Sequence, residues 1–220
     1  MGINALNAAN LAMQGIALQR ETFQDDDHIR VHPIITRGGS VVNAVPDDVR
    51  METFVRGATI NAIRGANEKV DRALRAGALA VGATVDITTL PGYLPLAQDR
   101  ILATIHRANA EALVGPDLVH EFGMRGGSTD MGDLTQIMPG IHPYVGGAVG
   151  RSNHAEDMVV DDYNLAVLDA GKAMAMTVVD LLSNNAAEAM RVISGHKPAM
   201  TKDEYLALQR AFLSERSYTE

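Results

Sequence analysis

Between Arg125 and Gly147 the chain reads "RGGSTDMGDLTQIMPGIHPYVGG", which sets a hydroxyl pair, two carboxylates and a histidine among six glycines and two prolines. Glycine frees the backbone and proline presets turns, so this stretch is suited to present polar side chains rather than to build a core. Ser128, Thr129 and Asp130 either bind substrate or an imidazole, or cap the turn that follows, as hydroxyls often do. Asp133 either orients a ligand or ends the loop, and His142, before Pro143, is read as part of a constrained turn. His154 in "RSNHAED" has Asn153, Glu156 and Asp157 around it. It is either a metal ligand held by neighbouring carboxylates or a surface residue in a polar loop. Earlier in the chain, Asn43 in "VVNAVPDD" and Arg56 at the end of a strand have the chemistry to grip a carboxylate, for which arginine offers a two-pronged fork. The plainer readings are an asparagine in a tight turn and a solvated or ion-paired arginine. His32 is read as a half-exposed strand histidine.

Composition narrows the chemistry. The 220 residues contain no cysteine, so disulfides, thiolate zinc sites and a cysteine nucleophile are excluded, and any metal is held by nitrogen and oxygen. No Gly-x-Ser-x-Gly elbow is present, which argues against a serine hydrolase. No His–Glu pair at helical spacing exists either, so a complete zinc site is not readable from the sequence. A net charge of -8 gives neither a nucleic-acid backbone nor an anionic membrane any long-range attraction. Without a signal peptide or a long apolar run, the chain reads as soluble and cytoplasmic.

The elements that must position these residues follow from hydrophobic periodicity. Residues Asn4 to Arg20 carry apolar side chains near helical spacing up to the break at "QDDDH". "HIRVHPIIT" alternates, with Ile29, Val31 and Ile35 opposite Arg30, His32 and Thr36, and Pro33 marks an edge or a bulge. "VRMETFVRG" alternates again and predicts a second strand, antiparallel to the first. Thr59 is placed to cap a helix whose face is Ile63, Ala66, Val70, Leu74 and Val81, with Gly82 at its end. "ATVDITTL" predicts a strand, and "PGYLP" closes this part near residue 95. A helix from Asp99 to about Val114 follows the break, and another from about Asp162 to Leu182 has Leu165, Leu168, Ala175, Val179 and Leu182 on one face. The last 25 residues read as a short helix and a loose tail. The fold class is α/β (α+β), in two parts: 1–95 as a partial ferredoxin-like α-β sandwich lacking its first strand, and 96–220. The missing strand implies an open sheet edge, with strand exchange or poor solubility as its consequence.

Four segments in fixed order, "RVHPIITRGGSVVNAVPDDVRMETFVRGAT", "GGSTDMGDLTQIMPGIHPYVG", "NHAED" and "LAVLDAGKAMAMTVVDLL", resemble the later half of the aminoacylase and carboxypeptidase G family of zinc amidohydrolases. The branch they look most like is that of the p-aminobenzoyl-glutamate hydrolases and the cytosolic dipeptidases. The resemblance covers about Gly2 to Asn184. It implies that 1–95 is a lid and dimerisation domain, and 96–220 the C-terminal part of a catalytic α/β zinc-peptidase domain. It assigns His154 to the family's last metal-binding histidine. Asn43 and Arg56 match lid positions that contact a substrate carboxylate, across or near a dimer interface, and Ser128, Thr129 and Asp130 match a loop walling the active site.

The resemblance assigns no catalytic residue to this chain. The family's other ligands and its general-base glutamate lie in an upstream half that these residues do not match, so the chain reads as a fragment, a split product or a degenerate protein. The implied function is metal-dependent hydrolysis of an amide bond in a small carboxylate-bearing substrate, a dipeptide or an N-acyl or aminobenzoyl amino acid. Zinc or another divalent metal would be the cofactor, a homodimer and an upstream catalytic half the partners. The alternative is a non-catalytic dimerisation module derived from such an enzyme.

Overall fold

The computed structural model describes residues 2–124 and 126–219. Along the chain run α1 (Ala5–Leu18), β1 (Arg30–Val31), β2 (Ile34–Arg37), β3 (Arg50–Glu52), β4 (Val55–Arg56), α2 (Ile60–Leu79) and β5 (Val85–Thr89). They are followed by α3 (Arg100–Val114), α4 (Met131–Ile137), β6 (Ala148–Val149), β7 (Val159–Val160), α5 (Ala170–Gly195), α6 (Lys202–Phe212) and β8 (Ser214–Tyr218). The fold is a mixture of helices and small antiparallel strand pairs: β1 with β4, β2 with β3, β5 with β8 and β6 with β7.

Two compact units form. The first is built from the segment ending at Pro95, from Met124–Asp130, and from the segment beginning at Lys202; the second from Leu96–Gly123 and Met131–Thr201.

In the first unit, α1 begins where Asn4 Oδ1 accepts hydrogen bonds from the Leu6 and Asn7 amides, satisfying N–H groups that have no partner within the helix. Thr59 does the same for α2, accepting from the Ala62 amide at 3.1 Å. Strands β1 and β2 form one antiparallel hairpin with β4 and β3, since Arg30↔Arg56, Val31↔Val55, Ile34↔Glu52 and Ile35↔Met51 keep one register across the interruption at Pro33. Proline has no N–H for the ladder, so pairing stops there and resumes beyond it. The inward side chains Ile29 and Val31 meet Ile16 of α1 and Ala66, Val70 and Ala73 of α2 in the core, with Phe23, Val55 and Leu74 at its margin. Each fully buried aliphatic side chain of this kind stabilises by about 1.5–3 kcal/mol.

The C-terminal residues are not a loose tail. β8 pairs with β5 in register from Val85↔Tyr218 to Thr89↔Ser214. Two cation–π contacts hold this segment to α2: Arg64 lies 5.3 Å from the centre of the Phe212 ring, and Arg75 4.3 Å from that of Tyr218. One edge of β5 is thereby covered.

The second unit centres on α3 and α5. Asp99 caps α3 by accepting from the Leu102 amide at 2.9 Å. Asn109 Nδ2 donates to Asp180 Oδ2 at 2.7 Å and to Thr177 Oγ1 at 3.4 Å, and Thr177 Oγ1 in turn donates to the Ala173 carbonyl. The side of α5 buried here is therefore Ala173 and Thr177, not the predicted apolar face: Val179 is 62% and Leu182 65% exposed. Small and hydroxyl-bearing side chains allow the close approach that these hydrogen bonds require. α5 loses helical geometry from Ser183 to Ala186, where Asn184, Asn185 and Ala186 take positive φ. That break lies where the apolar periodicity ends, at Leu182. The helix is preceded by a π-helical stretch, Asn164–Asp169.

Candidate functional site

The first unit holds Arg56, Asn43, Ser128, Thr129 and Asp130. Arg56 ends β4, half-buried, with its guanidinium 5.2 Å from the centre of the Phe54 ring. Directly opposite it in β1 is Arg30, and directly opposed residues of an antiparallel pair point to the same side. The stem of Arg30 lies against Gly126: a β-carbon added there would sit 3.4 Å from Arg30 Cγ and 3.6 Å from its Nε. Gly126 has φ +73, a conformation glycine takes without steric cost. The fold thus brings the "GGSTD" segment alongside the Arg30–Arg56 rung. Within that segment Thr129 Oγ1 donates to Asp130 Oδ1 at 3.0 Å, and Ser128 and Asp130 are exposed.

Asn43 lies elsewhere. It sits exposed in the turn joining β2 to β3, at the tip of the hairpin whose other end is the Arg30–Arg56 rung. The six residue-to-residue steps from Arg50 to Arg56 cover about 20 Å at roughly 3.3 Å per step. One small carboxylate does not reach both Asn43 and Arg56 of the same chain.

His154 belongs to the second unit, in the exposed turn between β6 and β7. The carboxylates that flank it in sequence are turned to another partner: Asp157 accepts from Arg151 Nε at 2.9 Å, and Glu156 lies 3.8 Å from Arg151 Nη2. Among the described residues no three His, Asp or Glu side chains converge to hold a metal ion. Among the described residues His154 therefore offers a single imidazole rather than a complete metal site.

The glycine-rich stretch also contains more order than its composition implies. α4 interrupts it, and Thr135 and Gln136 are buried. Thr135 Oγ1 accepts from the Ala97 amide at 3.0 Å and donates to the Gly132 carbonyl, so this half of the stretch is scaffold. His142 lies outside regular secondary structure, its amide donating to Gln98 Oε1 at 2.8 Å.

Two chemically capable groups are not recognisable from local sequence. Arg30 falls simply on the polar face of its strand, because its opposition to Arg56 depends on the register of the hairpin. His196 and Asp99 stand 97 positions apart, yet His196 Nδ1 is 3.1 Å from Asp99 Oδ2, with the side chains 13% and 7% exposed. This pair ties the end of α5 to the start of α3.

Over 189 residues the chain is 31% identical to the Xaa-Arg dipeptidase of Mus musculus and 30% identical to that of Homo sapiens, a match covering 82% of this chain. Its relatives are dipeptidases. The chain spans 43% of the length of each of these curated relatives. No family model matches the chain.

Proposed function

We propose that this chain is the C-terminal portion of a metal-dependent amidohydrolase or dipeptidase that cleaves an amide bond in a small carboxylate-bearing substrate. The observation that carries the reading is the 189-residue similarity to two proteins named Xaa-Arg dipeptidase. Their name describes a dipeptide ending in arginine, and a dipeptide of that kind fits an acidic chain of net charge -8, whose field attracts a cationic substrate.

In this reading Arg56 holds the substrate's carboxylate, and Ser128, Thr129 and Asp130 wall the same side of the hairpin. Asn43, at the other end of that hairpin, serves a site in a second copy of a homodimer. A divalent metal, zinc or another, would polarise the amide carbonyl and activate water. His154 supplies one ligand to it, and the remaining ligands come from outside the described residues.

The test is release of free arginine from alanyl-arginine, and of glutamate from p-aminobenzoyl-glutamate, with zinc, manganese or cobalt added. The chain by itself is expected to release neither. Addition of a polypeptide carrying the family's His-x-Asp metal motif and its Glu-Glu pair is expected to start release, and His154→Ala to abolish it. Release by the chain alone that survives His154→Ala would overturn the reading. The alternative, a non-catalytic dimerisation module, draws on the lack of converging ligands among the described residues. It predicts a dimer and no release under either condition.

A further inference from the structure

The register of the first unit's hairpin sets two arginine side chains on the same side of one rung. Arg30 and Arg56 are directly opposed in β1 and β4, where β-carbons stand about 5 Å apart and like charges repel. Among the described residues, neither has a carboxylate within ion-pair distance, although Arg37, Arg50, Arg107, Arg151 and Arg191 all do. Arg30 Nη1 donates to the Ile29 carbonyl, at 3.1 Å, and Arg56 lies against Phe54. The opposite face of the same strand pair is buried, with Val31 of the next rung at 3% exposure, so both arginines are held on the other face. Gly126 lies against the stem of Arg30, which limits where that guanidinium swings.

We propose that Arg30 and Arg56 form one carboxylate clamp, in which Arg30 is the second, specificity-determining cation beside Arg56. A carboxylate between them relieves the repulsion of the pair and accepts from both forks. It presents two oxygens with about four lone-pair directions, enough for both arginines at once. A neutral amide in its place has one acceptor oxygen and brings no charge. The clamp therefore selects substrates with a free terminal carboxylate over their amides. This rests on the reading of the chain as part of a hydrolase of carboxylate-bearing substrates, and adds to it a residue and a selection rule.

The full chain is titrated with N-acetylalanine and, separately, with N-acetylalanine amide, following the arginine Nε–Hε signals by NMR. The acid is expected to move the signals of both Arg30 and Arg56 in a saturable way, and the amide to move neither. Arg30→Gln and Arg56→Gln are each expected to weaken the acid about tenfold, the usual scale for losing a charge-assisted hydrogen bond. Arg30→Lys, which keeps the charge without the fork, is expected to fall between. Backbone spectra establish that each variant is folded, and should Arg30→Gln disturb the hairpin, Arg30→Lys gives the same reading. Equal binding of acid and amide, no saturable binding, or an Arg30→Gln variant that binds as tightly as the parent overturns the clamp. Arg30-dependent binding of the acid with no peptide hydrolysis under any condition keeps the clamp and removes the hydrolase reading. Hydrolysis whose KM is untouched by Arg30→Gln does the reverse.

Discussion

His106 shows how a single side chain acquires a property its sequence context does not display. It sits in α3 with Nδ1 3.1 Å from Thr177 Oγ1, and burial holds its imidazole below the ordinary value of 6.5. The folded state thus binds a proton on His106 less readily than the unfolded chain. Its contribution to stability is fully present above about pH 6.5 and is lost as pH falls from there toward the lowered value. Thermal denaturation between pH 8 and pH 5 is expected to show a steeper fall in Tm below pH 6.5 for the parent than for His106→Gln. Parallel slopes would assign the acid sensitivity to other groups. The same contrast between context and surroundings applies to the candidate site. Arg56 and "GGSTD" are visible as chemistry in the sequence, whereas Arg30 gains meaning only from what stands across the strand.

At the scale of elements, the contact of α1 with α2 depends on small residues. A β-carbon on Gly77 would meet the Ala8 carbonyl and lie 2.7 Å from the Ala12 amide nitrogen and 2.9 Å from Ala12 Cβ. Gly65, on the same helix, has nothing within 4 Å. Alanine is the better helix former by about 1 kcal/mol, so propensity alone predicts that both substitutions stabilise. Packing reverses the sign at one of them. Gly77→Ala is expected to cost about 1–2 kcal/mol because the helices must separate, while Gly65→Ala is expected to gain about 0.5–1 kcal/mol. Urea denaturation of the two variants checks the pair, and a stabilised Gly77→Ala would mean that α1 is not held as closely as described.

At the scale of the molecule, the two units are interleaved in the chain: Met124–Asp130 and the residues from Lys202 onward return to the first unit after the second has begun. The glycine-rich segment is divided accordingly, its "GGSTD" part in the first unit and α4 in the second. Because Asn43 and Arg56 stand at opposite ends of one hairpin, the proposed function uses both only in an assembly of two chains. Sedimentation velocity is therefore expected to show a species at twice the chain mass of 23.5 kDa. A monomer at all concentrations would remove Asn43 from the substrate site and leave Arg56 in place. No helix among the described residues is long and apolar enough to cross a membrane.

Local rules were enough for much of this protein. The caps at Thr59 and Asp99, the alternation around Val31 and Val55, the interruption at Pro33 and the end of regular helix at Leu182 each follow from residues within a few positions of one another. The resemblance to amidohydrolases came from the sequence as well, and the names of the two dipeptidase relatives agree with its peptide-bond-hydrolysing part. Only the tertiary structure decided which face of α5 is buried, where the last residues go, and which cations share a rung. Each of these is a contact between distant segments: Asn109 with Asp180, Val85 with Tyr218, Arg30 with Arg56. Periodicity reports which side of an element is apolar. It does not report which neighbour arrives, or whether that neighbour brings an aliphatic side chain or a hydrogen bond.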